Sequence, residues 1–203
     1  MALNFCNNNS LSAITTIPAS ISGGGLNLIS TQTASSSATI DFTSGIDSTY
    51  KEYIFKYINL HPATNNAYLT FQGSTNGGSS YGVTTTSTAF SAYHDEADTA
   101  TNLGYNTSRD LAQSTSFIPI QVDGTSNNDD GSCVGTLHLF DPSNTNFAKH
   151  FISVDQNMGQ TAAYSFNAYH AGYLNTTSAI NAVQFKFSSG NIDSGVIKLY
   201  GVS

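Results

Sequence analysis

Five histidines, thirteen carboxylates and two cysteines are the side chains of this 203-residue sequence that could carry acid–base, metal-binding or nucleophilic chemistry. Their spacing is informative. Tyr93-His94-Asp95-Glu96-Ala97-Asp98 sets a His beside three carboxylates, oxygen donors of the kind that hold Ca²⁺ or Mg²⁺. No motif fixes a coordination geometry there, and Thr99 to Ser108 reads as loop, so a solvated acidic loop is the expectation. A second acidic run, Asp123-Gly124-Thr125-Ser126-Asn127-Asn128-Asp129-Asp130-Gly131, has the look of a calcium loop. With Gly131 aligned to the invariant glycine of such a loop, Ser126 falls at the first ligand position and Leu137 at the twelfth. The required Asp and the bidentate Glu are both missing. A turn between two strands accounts better for this segment.

The histidines His61, His94, His138, His150 and His170 are scattered. His138, His150 and His170 fall in strand-like segments and could converge on a metal only if neighbouring strands aligned them on one face. A structural role is the expectation. Serine is too abundant for its nearness to His to mean anything, and no Gly-x-Ser-x-Gly sequence occurs. Glycoside hydrolysis needs two carboxylates across a cleft, and the acids here lie almost all in loops. Cys6 and Cys133, 127 positions apart, make neither a disulfide framework nor a zinc site. Two free thiols are expected. No catalytic residue, metal or cofactor is expected.

What remains is aromatic. Tyr81, Tyr93, Tyr105, Tyr164, Tyr169 and Tyr173 lie in or near loops and strand ends among Asn, Ser and Thr. Tyrosine beside short polar residues makes a general contact surface for proteins or glycans. Tyr81, Tyr93, Tyr105, Tyr169 and Tyr173 are the candidate surface-binding residues.

These side chains need a scaffold, and composition says of what kind. About a third of the chain is Ser, Thr and Asn, only 9% is charged, and 23 residues are Tyr or Phe. Ser, Thr, Asn and Gly form helices poorly, while Thr, Tyr, Phe, Val and Ile suit strands. From residue 38 onward the sequence reads strand, turn, strand. Tyr50 to Leu60 sets Tyr53, Phe55 and Tyr57 against Ile54, Ile58 and Leu60, apolar on both faces as in a central strand. In 133–140, Val134, Thr136, His138 and Phe140 oppose Cys133, Leu137 and Leu139. In 180–188, Val183, Phe185 and Phe187 oppose Gln184 and Lys186. Further strands are expected over 67–72, 81–92, 116–122, 147–154, 162–173 and 195–202. Nine or ten short strands without a long helix predict an all-β domain over 38–203, a jelly-roll-like β-sandwich before a closed barrel.

Residues 1–37 differ. They carry no side-chain charge, hold Gly23-Gly24-Gly25, and have only short apolar patches. Ile14, Ile17, Leu26, Leu28 and Ile29 cannot offset the backbone entropy of ordering 37 residues, about 1–2 kcal/mol each. An extended N-terminal arm is expected, anchored by those five residues on a sheet edge or groove of an adjacent subunit.

The net charge of −7, with six scattered cations, excludes a phosphate-neutralising patch and argues against nucleic acid and anionic membranes. No apolar run reaches the roughly 20 residues of a membrane span. Met1-Ala2-Leu3-Asn4 lacks the cationic start of a secretory signal, so none is expected.

The C-terminal stretch Phe185-Lys186-Phe187-Ser188-Ser189-Gly190-Asn191-Ile192-Asp193-Ser194-Gly195-Val196-Ile197-Lys198-Leu199-Tyr200-Gly201-Val202 resembles the closing hairpin of β-sandwich structural proteins of tailed, especially marine, bacteriophages. Tyr53 to Pro62 and Phe71 to Tyr81 are similar to the same proteins, and the resemblance spans roughly 38–203. It implies a non-enzymatic virion component, a capsid decoration or a tail or fibre module. It further implies a homotrimer that contacts other virion proteins and assembles in the host cytoplasm. The alternative is a carbohydrate-binding module for host surface glycans. The resemblance transfers no functional residue.

Overall fold

The computed structural model describes residues 25–160 and 163–203. Thirteen strands form two antiparallel sheets, and no helix occurs among the described residues: β1 (Leu26–Ser37), β2 (Ile40–Phe42), β3 (Glu52–Pro62), β4 (Leu69–Ser74), β5 (Thr85–Asp95), β6 (Thr101–Tyr105), β7 (Leu111–Ser114), β8 (Ile118–Pro119), β9 (Cys133–Phe140), β10 (Lys149–Met158), β11 (Tyr164–Leu174), β12 (Ala182–Phe187) and β13 (Ile192–Val202). The large sheet runs β1-β13-β3-β9-β10-β11-β5-β6 with β7 also on β5; the small one runs β2-β12-β4-β8. The chain is therefore a β-sandwich of nine strands against four.

Period-2 alternation builds the core. Tyr53, Phe55 and Tyr57 of β3, Leu137 and Leu139 of β9, and Ile197 and Leu199 of β13 turn inward onto Ile40, Phe42, Leu69, Phe71, Val183, Phe185 and Phe187 of the small sheet. The ring of Phe185 meets Phe55 at 5.3 Å, Phe71 at 6.2 Å and, edge-on, Phe42 at 6.3 Å. The expected facings in β9 and β12 hold. In β3 one does not. Leu60 is fully buried beside Tyr57 and Cys133, because a register shift between Tyr57 and Leu60 places Asn59 at φ +48° and reverses the parity. Gly195, at φ +117°, lies against Leu60 on β13, where a Cβ would strike the Asn59 carbonyl and the Leu60 side chain.

Residues 26–37, read from sequence as arm, are β1, paired along their length with β13 of the same chain from Leu26↔Val202 to Ser37↔Ile192. Thr and Ser tolerate strands well, and here a ready ladder supplies their hydrogen bonds. Ile29 sits at a bulge, turns inward and packs on the core at Gly45, so it anchors its own sandwich. Leu26 and Leu28 stay exposed at 44% and 56%. Ile14, Ile17 and Cys6 lie outside the described residues. Thr101–Tyr105, read as loop, is the edge strand β6. Loop polarity there hid a ladder that β5 provides.

One buried cation helps close the sandwich end. Lys149 has no solvent exposure, and its ammonium donates to the carbonyls of Phe147 (2.5 Å), Thr176 (3.3 Å) and Thr177 (3.4 Å). Lys149→Met would keep the packing and strand those acceptors. It is expected to cost about 1–3 kcal/mol, read as a lowered urea midpoint at unchanged m-value.

Candidate functional site

The small sheet covers only part of one face of the large sheet. Among the described residues no second layer covers the other face, and the ladder registers order its residues into rows. One row reads Leu28, Tyr200, Ile54, His138, Ile152, Ala171, Thr88; the next reads Thr31, Lys198, Lys56, Thr136, Val154, Tyr169, Phe90, Tyr105. A third continues Val134, Gln156, Asn167, Ala92, Leu103. Nine large apolar or aromatic residues are exposed among the described residues. Eight of them lie on this face: Leu26, Leu28, Ile58, Phe90, Leu103, Tyr105, Ile152 and Tyr169. Phe147, in a loop, is the exception. Scattered apolar exposure is ordinary; one contiguous face marks an interaction surface.

The candidate tyrosines divide between faces. Tyr105 and Tyr169 flank Phe90 in a single row, and the Phe90 and Tyr169 rings stack at 4.9 Å and 7°. The Tyr105 hydroxyl donates to Asp110 at 2.6 Å. Tyr173 lies on the same face and, with Phe140, His150, Ile152, Ala171 and Thr88, lines a hollow of about 400 Å³. Tyr93 is on the opposite face, packed on Phe166 and Tyr164. Tyr81 is a brace whose hydroxyl donates to Asp41 at 2.9 Å, with Gln184 donating to the same oxygen at 2.7 Å. Desolvation and that carboxylate raise the Tyr81 phenol well above its ordinary value. Three of the five tyrosines therefore share a surface and two do not.

The surface also carries Lys56 and Lys198 side by side, Lys56 5.6 Å from the Tyr200 ring, and a His138–Glu52 pair at 2.6 Å. Sequence reasoning missed these residues as a site. The available signal was β10, whose pattern is inverted: Ser153, Asp155 and Asn157 are buried while Ile152 is 48% exposed.

That inversion makes a polar layer inside the fold. Asp155, Asn157, His170 and Gln121 are all at most 1% exposed. Gln121 reaches Asp155 at 3.4 Å and accepts from Thr125 at 3.2 Å, while Asp155 Oδ1, Asn157 Oδ1 and both His170 nitrogens have no partner. Desolvation drives Asp155 far above the carboxylate range, lifts the neighbouring Cys133 thiol, and lowers His170 to about 4. These are titratable groups sealed from any substrate. The three strand histidines do not converge, since His138 and His150 face outward and His170 inward. The acidic loop is occupied by itself: Asp95 accepts from the Thr99 and Ala100 amides at 2.8 and 2.9 Å and from the Thr99 hydroxyl at 2.5 Å. In the 123–131 segment, the Gly131 amide donates to the Asn128 carbonyl at 2.7 Å, a turn leading into β9. No group of three or more His, Cys, Asp or Glu side chains is set to hold a metal among the described residues.

Comparison with protein-family models, with curated proteins and with solved structures gives no match to this chain.

Proposed function

We propose that this chain is a non-enzymatic structural module that works by assembly through the uncovered face of its large sheet, as a capsid decoration or tail or fibre component of a bacteriophage virion. The observation that carries the assembly role is the concentration of eight exposed large apolar side chains on one sheet face, with polar residues buried behind it. The virion assignment rests on the resemblance of residues 38–203. A chain with only 9% charged residues and no Trp has few tryptic sites and few long side chains to order. Such a surface suits a particle that persists outside cells. Quantitative mass spectrometry of purified virions should find the chain at a fixed copy number. Its absence from particles of the phage that encodes it would sink the assignment.

A second reading, glycan binding, is favoured by the Tyr169–Phe90–Tyr105 row, three exposed aromatic side chains in line, the first two stacked on each other. Under it, Tyr105→Ala and Tyr169→Ala should abolish glycan-array signal and Tyr93→Ala should leave it intact. Equal loss from all three would refute a site on this face.

A further inference from the structure

We propose that the uncovered face pairs with the same face of a second copy of this chain about a two-fold axis parallel to the strands and passing between β9 and β10. This rests on the reading that the face is an assembly surface and names its occupant.

The registers carry the argument. Such an axis sets each residue against the one equally distant on its other side, within the same row. In the Lys56 row, the half beyond β9 is cationic, with Lys56 and Lys198; the half beyond β10 is aromatic, with Tyr169 and Phe90. The operation lays Lys56 over Tyr169 and Lys198 over Phe90, a cation above one ring of the stacked pair in both cases. In the Ile54 row, one half holds Ile54 and Tyr200 and the other Ala171 and Thr88. Ile54 is itself buried, at 7% exposure, so the large side chain that meets a small one is Tyr200, which falls over Thr88 at the hollow of about 400 Å³. Each feature appears once per chain and is complemented by the other half of the same face. An isologous contact requires this.

Charge and area agree. Two molecules of net charge −7 repel, yet the three rows themselves carry no acid. A fourth row, Leu26, Val202, Glu52 and Phe140, holds Glu52, engaged by His138, and at the far edge Asp110 accepts the Tyr105 hydroxyl. Six strands about 4.8 Å apart, over four rows, offer about 600–800 Å² per partner, near the roughly 800 Å² of a standard interface. Sheets packed this way lie about 10 Å apart with strands crossing at about 30°.

Sedimentation equilibrium of the full chain at micromolar concentration should return twice the 21.4 kDa chain mass. Ile152→Asp should return a single chain with an unchanged circular dichroism spectrum, since that side chain is outside the core. Lys56→Tyr and Tyr169→Lys should each weaken pairing at least tenfold, and the double variant, which exchanges the two partners, should restore most of it. A wild-type monomer, a dimer that survives Ile152→Asp, or an exchange without rescue overturns the pairing. So does the mass of three chains, the state the resemblance implies, because a ring of three needs a head-to-tail contact; that outcome would leave the virion reading standing. A monomer whose oligosaccharide binding is lost in Ile152→Asp would assign the face to a glycan and overturn it as well. A monomer still found at fixed copy number in virions would remove the pairing and leave the proposed function standing.

Discussion

Phe185→Ala is expected to lower the unfolding free energy by about 3–5 kcal/mol, a large share of the roughly 5–15 kcal/mol available to a domain. Phe185 is fully buried where the two sheets meet, and its ring touches the Phe42, Phe55 and Phe71 rings, so four strands lose contacts at once. The backbones of β3, β4 and β12 are held in ladders on both sides and cannot collapse into the space. Phe147→Ala is the control: that ring is 67% exposed, and its loss should stay within about 0.5 kcal/mol. Urea unfolding of both variants decides the matter. Similar midpoints for the two would mean that this aromatic cluster is not the structural centre.

The second large effect is a pH profile. Folding keeps a proton on Asp155 that the unfolded chain releases above about 3.8, so this group's contribution is complete below that pH and is lost as pH rises. His170 acts in the opposite sense. The unfolded imidazole binds a proton below 6.5, while the folded one stays neutral down to about 4, so its contribution is lost as pH falls through that window. Each slope amounts to about 1.4 kcal/mol per pH unit. Between pH 4 and 6.5 the two oppose one another, and Asp123, raised by desolvation, adds to the loss at rising pH in the sense of Asp155. The Asp155 share is isolated by Asp155→Asn, which needs no proton: its stability relative to the wild type should climb as pH rises above about 4, whatever the other groups contribute to both proteins. A relative stability that fell as pH rose would mean that Asp155 is ionised in the folded chain, and the account of the polar layer would fail.

Several strands were legible because each obeys one rule. β9 and β12 alternate cleanly, and their inward residues are those with the apolar parity. β3 was legible as a central strand from its two apolar faces, but the meaning differed. Its inner face meets the small sheet, while its outer face, with Ile54 buried and Ile58 exposed, meets no second layer among the described residues. Periodicity registers that a face is apolar and is silent about what covers it. β1 and β6 were hidden because Ser, Asn and Gly, interspersed with their Thr residues, have little strand preference of their own and are held here by the ladder a neighbour offers, a fact of tertiary structure. β10 misled for a deeper reason. Its polar residues are inside, so burial follows the position of the sheet and not side-chain polarity. Of the candidate tyrosines, Tyr105, Tyr169 and Tyr173 were brought together by the registers of β5, β6, β10 and β11, which no local pattern encodes.

The pairing of β1 with β13 has a mechanical consequence. Leu26 lies opposite Val202, and the Ser203 amide donates to the Gly25 carbonyl at 3.4 Å, so residues 25 and 203 leave the sheet side by side. Tension that pulls these two points apart loads the edge ladder one rung at a time, as a zipper is opened, and peels β1 at low force. Tension directed along the strands would share the load among all the rungs and meet far greater resistance. The edge strand is thus a mechanical fuse: it yields first, and the aromatic centre behind β13 remains packed while it does.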